Sequence, residues 1–286
     1  MKKSVKYISI ILGVIILGLI YFMFVYKSDL RTDQVKKDPQ PIEGRALLMK
    51  MGKAHGIENW DSIATYTVAF QDEFFGRMGK NAHPFPSSQM EMILDYIPNT
   101  FNGRLSFDDG TQWGLQAWKP YLRQRGGNPV FKKDDDISFW IPTYQYFMEL
   151  PLRLQSATAV AYAGERVIDG IECTGIFVSW NKYKPQSNVD QYLLWIDKKT
   201  HLIHQVEYTV RDVFRFMKAR IDYKAYQDFY GLQIATDMPV HSLFGDGLMH
   251  RMKINGIQIN MVPKEDLLPD QSLPYVEDAK EVLIED

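Results

Sequence analysis

The sequence predicts a mainly β domain with a smaller helical part (α+β). It is built on a strongly curved antiparallel sheet or barrel and preceded by one apolar N-terminal helix. Three observations carry this. An uncharged run from Tyr7 to Tyr26 lies between Lys2, Lys3 and Lys6 on one side and Lys27 on the other. Period-two alternation of apolar side chains then recurs in segment after segment from Ala64 onward. Turn signals separate these segments at short, regular intervals, which favours antiparallel pairing.

At 1.5 Å per residue the run from Tyr7 to Tyr26 spans roughly 30 Å, the hydrocarbon thickness of a bilayer. It ends Ile20-Tyr21-Phe22-Met23-Phe24-Val25-Tyr26, bulky where a cleaved signal peptide carries small residues, so it reads as an uncleaved anchor. Tyr21 and Tyr26 suit the membrane interface, where ring and hydroxyl are both satisfied. Positive charge is nearly balanced across the run, with Lys27, Arg31, Lys36 and Lys37 on the far side diluted by Asp29, Asp33 and Asp38. The expected arrangement is a single-pass protein of the cell membrane with a short basic tail inside and an extracytoplasmic (periplasmic) domain outside. Residues 1–26 are then tail and transmembrane anchor, 27–42 a polar tether through Pro39 and Pro41, 43–262 the domain, and 263–286 a loosely ordered acidic tail.

The domain elements follow in order. Leu47, Met51, Ala54 and His55 repeat with helical spacing in 43–55, and Gly56 supplies a stop. Ala64, Tyr66, Val68 and Phe70 share one face of a strand, as do Met90, Met92, Leu94 and Tyr96. Arg104–Phe107 and Thr111–Trp118 flank Asp108-Asp109-Gly110, a hairpin signal. Residues 119–139 are polar and turn-rich and read as a long surface loop. Trp140, Tyr144, Phe147 and Leu150 predict a helix over 139–154, interrupted at Pro151. Strands are expected at 157–163, 167–180 with a turn at Asp169-Gly170, 189–197, 202–212, 215–229 and 247–261. The total is nine or ten strands and two main helices.

Composition narrows the function classes. Apolar residues make up 45% of the chain, enough for a sizeable core, and a net charge of −2 gives no reason to propose nucleic acid. The one cysteine, Cys173, excludes an intrachain disulfide and reads as a buried inert thiol. His201 and His204 point to opposite faces of a strand, and His55, His83, His241 and His250 have no companion at ligand spacing, so no metal site is expected. Asp134-Asp135-Asp136 lacks the spaced ligands of a calcium loop and reads as solvated. No G-x-S-x-G or Gly-rich phosphate loop is present. The sequence therefore predicts neither enzyme nor cofactor.

Tyr146-Phe147-Met148-Glu149-Leu150-Pro151-Leu152, then Gly170-Ile171-Glu172-Cys173-Thr174, then Asp190 through Thr200 (DQYLLWIDKKT), Tyr208, Gly231-Leu232 and Pro239 carry a family pattern. The order, spread over roughly 43–240, resembles uncharacterised extracytoplasmic bacterial proteins related to the lipoprotein-carrier (LolA-like) half-barrel families. The strand and turn at YLLWIDKKTHLI are its most specific part. Asp197 suits the turn because its side chain bonds nearby backbone.

The resemblance implies an unclosed half-barrel of about eleven strands with helices on its concave side and a hydrophobic cavity that accepts acyl chains. On that reading Tyr66, Phe70, Met92 and Tyr96, with Trp113, Phe147, Tyr208 and Tyr223, would line the cavity, and helix 139–154 would plug it. From the residues alone the same set reads first as a packed core, and the cavity rests on the resemblance. The expected function is binding of a hydrophobic ligand, a lipid or a lipidated protein, beside the membrane entered by residues 7–26. The alternative is an envelope scaffold with a filled core, for which the sequence names no protein partner. The tethered domain departs from the carriers, which are generally soluble or themselves lipid-modified.

Overall fold

The computed structural model describes residues 7, 11–18, 21–22, 25–243 and 247–273. Residues 11–18 are helical and largely exposed, with Leu12, Val14 and Leu17 bare to their surroundings. The expected span from Tyr7 to Tyr26 lies partly outside the described residues. Among those described, no helix is long and apolar enough to cross a membrane.

The first folded elements are a short helix α1 (Asp33–Lys37), capped by the Thr32 side chain, and α2 (Pro41–Ala54). A 3-10 turn (Ile57–Ser62) leads to strand β1 (Tyr66–Phe74), helix α3 (Gly76–Asn81) and strands β2 (Gln89–Tyr96), β3 (Gly103–Ser106), β4 (Gln112–Gln116), β5 (Lys119–Arg123) and β6 (Val130–Phe131). Helices α4 (Asp135–Met148) and α5 (Leu150–Arg153) follow. Then come β7 (Ala159–Ile168), β8 (Ile171–Ser179), β9 (Tyr192–Asp197), β10 (Ile203–Thr209), β11 (Lys218–Asp222), β12 (Lys224–Phe229), β13 (Leu232–Ser242), β14 (Leu248–Ile259) and a last turn of helix α6 (Lys264–Leu267).

All the strands join one antiparallel sheet in the order β6-β5-β4-β3-β2-β1-β14-β13-β11-β10-β9-β8-β7, with β12 also on β13. The ends of this path, β6 and β7, do not pair, so the sheet is an open half-barrel. The fourteen strands among the described residues exceed the nine or ten expected. The expected strand 215–229 is two strands, broken at Tyr223. Central β13 is not among the expected strands. Lys119–Arg123 and Val130–Phe131 are strands inside the expected long loop. The Asp169-Gly170 turn has positive φ at both residues, as a two-residue hairpin requires.

Alternation places the core. Along β1 buried and half-buried residues alternate without a break, with Tyr66, Val68, Phe70, Asp72 and Phe74 facing inward. The inner face is covered by α4 and α2. Asp134 caps α4 by accepting from the Ile137 amide at 3.2 Å, and Asp135 and Asp136 sit in the first turn beside the positive helix end. The acidic run is thus a helix start, four residues before the expected one. Leu48 and Met51 of α2 are fully buried in the same cluster as Ile141 and Tyr144 of α4.

The segment 27–42, expected as a tether, is packed. Leu30 and Val35 are buried on the outer face against Ala161, Ala163, Phe177, Leu193 and Trp195. Gln40 pairs with Tyr162 at the β7 edge, and α2 then turns onto the inner face. The chain thereby wraps β7, which explains why β9 is buried on both faces and reads as a continuous apolar run. Gly44 allows this passage, since a Cβ there would collide with the Ala161 backbone. Cys173 is fully buried on the outer face, and burial raises its thiol pKa. The stretch after Pro263 is packed as far as Asp270, which exchanges hydrogen bonds with Gln116; Leu267 is fully buried.

Candidate functional site

The concave face is an apolar, aromatic surface assembled by register. Tyr66 stands opposite Tyr96 and Phe70 opposite Met92 on the inner face of β1 and β2. On the facing helix, Ile137, Trp140, Ile141, Tyr144 and Phe147 turn toward the sheet at helical spacing. Phe70 meets Tyr144 at 4.8 Å between ring centroids, and Phe147 meets Tyr208 edge-on at 5.0 Å. The Tyr96 hydroxyl donates to the Ile141 carbonyl at 2.8 Å and the Tyr223 hydroxyl to the Phe147 carbonyl at 3.1 Å. Trp113 is half-buried at the far end of the same cluster, 5.5 Å from Phe85. Seven of the eight residues singled out in the sequence therefore lie buried in one cluster under α4, and Trp113 packs against it.

Two buried carboxylates pin α4 and its C-terminal end to the sheet. Glu149, fully buried, accepts from the Tyr66 hydroxyl at 2.7 Å, the Gln145 amide at 2.8 Å and the Asn99 backbone N–H at 3.0 Å. It also pairs with Arg153 at 2.7 Å. The Arg153 guanidinium lies 4.0 Å from the Phe101 ring centre and donates to the Thr100 carbonyl. Asp72, equally buried, accepts from the Tyr144 hydroxyl at 2.9 Å and lies 3.0 Å from Nδ1 of His250. Burial, reinforced by these carboxylates, drives the Tyr66 and Tyr144 phenols well above their ordinary pKa, so both remain donors.

Sequence reasoning missed Glu149, Arg153, Asp72 and Phe85. The available signal was an acid on an otherwise apolar face, Asp72 after Tyr66, Val68 and Phe70. His250 does find a companion, in Asp72, though the two lie 178 positions apart.

Phe85 differs from the rest of the cluster because a loop delivers it, between Pro84 and Pro86 in the α3–β2 connection. Its ring is buried 5.3 Å from Trp140, 5.5 Å from Trp113 and 6.4 Å from Tyr144. Beside it lies a cleft of about 530 Å³ lined by Met90, Phe107 and Trp113, with Asp108 and Asp109 at its rim. A second cleft of about 310 Å³ opens where α2 meets β8 and β9, over Leu47, Ile176 and Ile196, with Lys50, Lys198 and His201 around it. Among the described residues no group of three or more His, Cys, Asp and Glu could hold a metal ion.

No family model and no curated protein matches the chain. Solved structures do. A domain from Vibrio parahaemolyticus, described as an outer membrane lipoprotein-sorting protein, superposes with a TM-score of 0.51 at 12% identity, over 85% of this chain and 98% of its own. A DUF1329 family protein from Desulfovibrio piger matches at 0.49 and 12% identity, covering 82% and 98%. A LolA superfamily protein from Nitrosomonas europaea matches at 0.48 and 9%, covering 78% and 96%. At these identities the likeness is one of fold. The chain has the LolA-like half-barrel that its sequence resembles.

Proposed function

We propose that this chain is a membrane-anchored extracytoplasmic domain that takes a hydrophobic ligand, a lipid or an acylated protein, into the space between the curved sheet and α4. The observation that supports this most directly is Phe85. A loop-borne ring occupies an aromatic slot next to an open cleft, in the position an apolar chain would take if the loop withdrew. The slot is walled by Trp113, Trp140 and Tyr144, so an acyl chain entering it exchanges water for aromatic surface at about 0.8 kcal/mol per CH₂. Withdrawal of the 82–88 loop opens the cleft end. Displacing α4 further requires releasing Tyr144 from Asp72 and the Tyr66–Glu149 contact beyond its last turn. The Vibrio domain is described as a lipoprotein-sorting protein, which accords with an acylated cargo.

The anchor reading rests on the lysine-flanked run from Tyr7 to Tyr26 and on the exposed apolar helix at 11–18. The short tail faces the cytoplasm in this reading.

Native mass spectrometry of the full chain, extracted in detergent, tests the proposal. Co-purified lipid that is displaced by a fluorescent fatty acid is the expected result. Lipid-free protein that binds no such probe overturns it. A second reading, an envelope scaffold without a small-molecule ligand, is favoured by one observation: the eight concave residues are packed against one another and α4. A stoichiometric cross-linked protein partner on lipid-free chain is its signature.

A further inference from the structure

The β10–β11 connection, Val210–Met217, is a compact turn closed on itself. The Val213 and Phe214 amides both donate to the Val210 carbonyl at 3.2 Å, and the Met217 amide donates to the Phe214 carbonyl at 2.9 Å. Its tip is apolar and bare, with Val213 and Phe214 each 42% exposed. Single exposed apolar residues are ordinary. This pair is distinguished by what lies beside it. Phe216 packs on Phe214 at 5.3 Å and on Phe22 at 4.7 Å, so the tip is continuous with the end of the apolar N-terminal run. The chain leaving that run is fastened to the same turn. Ser28 donates its amide to the Arg215 carbonyl at 3.2 Å, and the buried Arg211 guanidinium donates to the carbonyls of Ser28 and Arg215. Lys27, Arg215 and Lys218 bracket the apolar tip, with Asp212 as the acidic residue of the turn.

We propose that the Val210–Met217 turn is a second membrane contact, inserting Val213 and Phe214 into the interface of the bilayer that residues 7–26 enter. This rests on the anchor reading above. The occupant of the exposed tip is a lipid bilayer surface: apolar side chains enter the acyl boundary, and the flanking cations meet phosphate. Between Tyr26 and Ser28 there is no slack, so when the run spans the membrane the turn is carried to the headgroups with it. The domain then stands in one orientation. The Asp169-Gly170 hairpin lies at the opposite end of the same strands, since β8, β9 and β10 are paired antiparallel between the two ends.

The test uses the full chain in the Cys173→Ala background, reconstituted into phosphatidylcholine–phosphatidylglycerol vesicles. Phe214→Cys and Val167→Cys each carry an environment-sensitive fluorophore; Val167 is 65% exposed beside the distal hairpin. The label at 214 should be blue-shifted, quenched by nitroxide lipids and several-fold less sensitive to iodide than the label at 167. Val213→Cys should repeat this if Phe214→Cys folds poorly. Equal iodide quenching at both ends, with the chain retained after alkaline carbonate washing, overturns the turn proposal and leaves the anchor standing. Loss of the chain in that wash overturns both.

Discussion

The Tyr66 phenol donates to the Glu149 carboxylate at 2.7 Å, joining the first strand of the sheet to the residue that ends its covering helix. Both side chains are buried, and Glu149 is further held by Arg153, Gln145 and the Asn99 amide. The contact fixes where α4 stops and hence how deeply Phe147 sits against Tyr208.

Removing one side of the buried ion pair leaves the other charge without its partner. Glu149→Ala should destabilise the domain by about 3–5 kcal/mol, and Tyr66→Phe by about 1–2 kcal/mol. Urea unfolding of both and of the double variant checks this. The double variant should lose less than the sum, because the two residues share one contact.

His55 makes stability pH-dependent. Its Nδ1 lies 2.9 Å from the Met51 carbonyl, and Nε2 faces the Ile203 amide and the Tyr226 hydroxyl. A proton on Nε2 would point at the Ile203 N–H, in a buried place. Burial lowers the His55 pKa from 6.5 to about 4. The unfolded chain therefore takes up a proton in this window that the folded chain refuses, so the contribution is whole above pH 6.5 and is lost as pH falls toward 4. It amounts to about 3 kcal/mol at most. Asp190, pushed up to about 7 by burial, works in the opposite sense, because its folded form keeps a proton the unfolded chain has released. The readout is accordingly the difference between wild type and His55→Gln in urea midpoint against pH. That difference should shrink between pH 6.5 and 4.

Phe85→Ala should separate ligand access from stability. Emptying the slot costs about 3 kcal/mol or more of folding stability. The vacated space should raise the affinity for a fluorescent fatty acid. Unchanged probe binding in a folded variant, by titration, would count against Phe85 as a stand-in for ligand.

Gly44→Ala should destabilise despite Ala's advantage of about 1 kcal/mol in a helix. The new Cβ meets the Ala161 backbone, so α2 must lift from β7. A net loss of about 1–3 kcal/mol is expected from thermal or urea unfolding.

How legible the fold was depended on the range of the interactions. The inner face of β1 and β2 could be read from alternation alone, and the Asp169-Gly170 turn from its two residues. Seven of the eight aromatic and methionine positions do share one buried cluster, and Trp113 packs against it. Strand β13 escaped because Asp237 and Pro239 interrupt its apolar run; its burial is set by β14, β11 and β12 around it. The wrapping of β7 by residues 28–40 also escaped. A polar stretch with two prolines carries no local sign that Leu30 and Val35 have partners more than 100 positions away. The polar pins share this cause, since Tyr66 and Glu149 are 83 residues apart.

The pairing of β1 with β14 sets a timetable for synthesis. Tyr66 aligns with Ile259, and the Ala64 and Thr65 amides are satisfied by the Asn260 side chain. Residue 28 likewise waits for residue 211. A chain emerging from its N-terminus holds the edge of β1 opposite β2 without its partner until the last strand, β14, is delivered. Loop closure over such separations is slow, and the waiting edge is sticky. Truncation before Ile259 should therefore give an aggregating product instead of a smaller half-barrel.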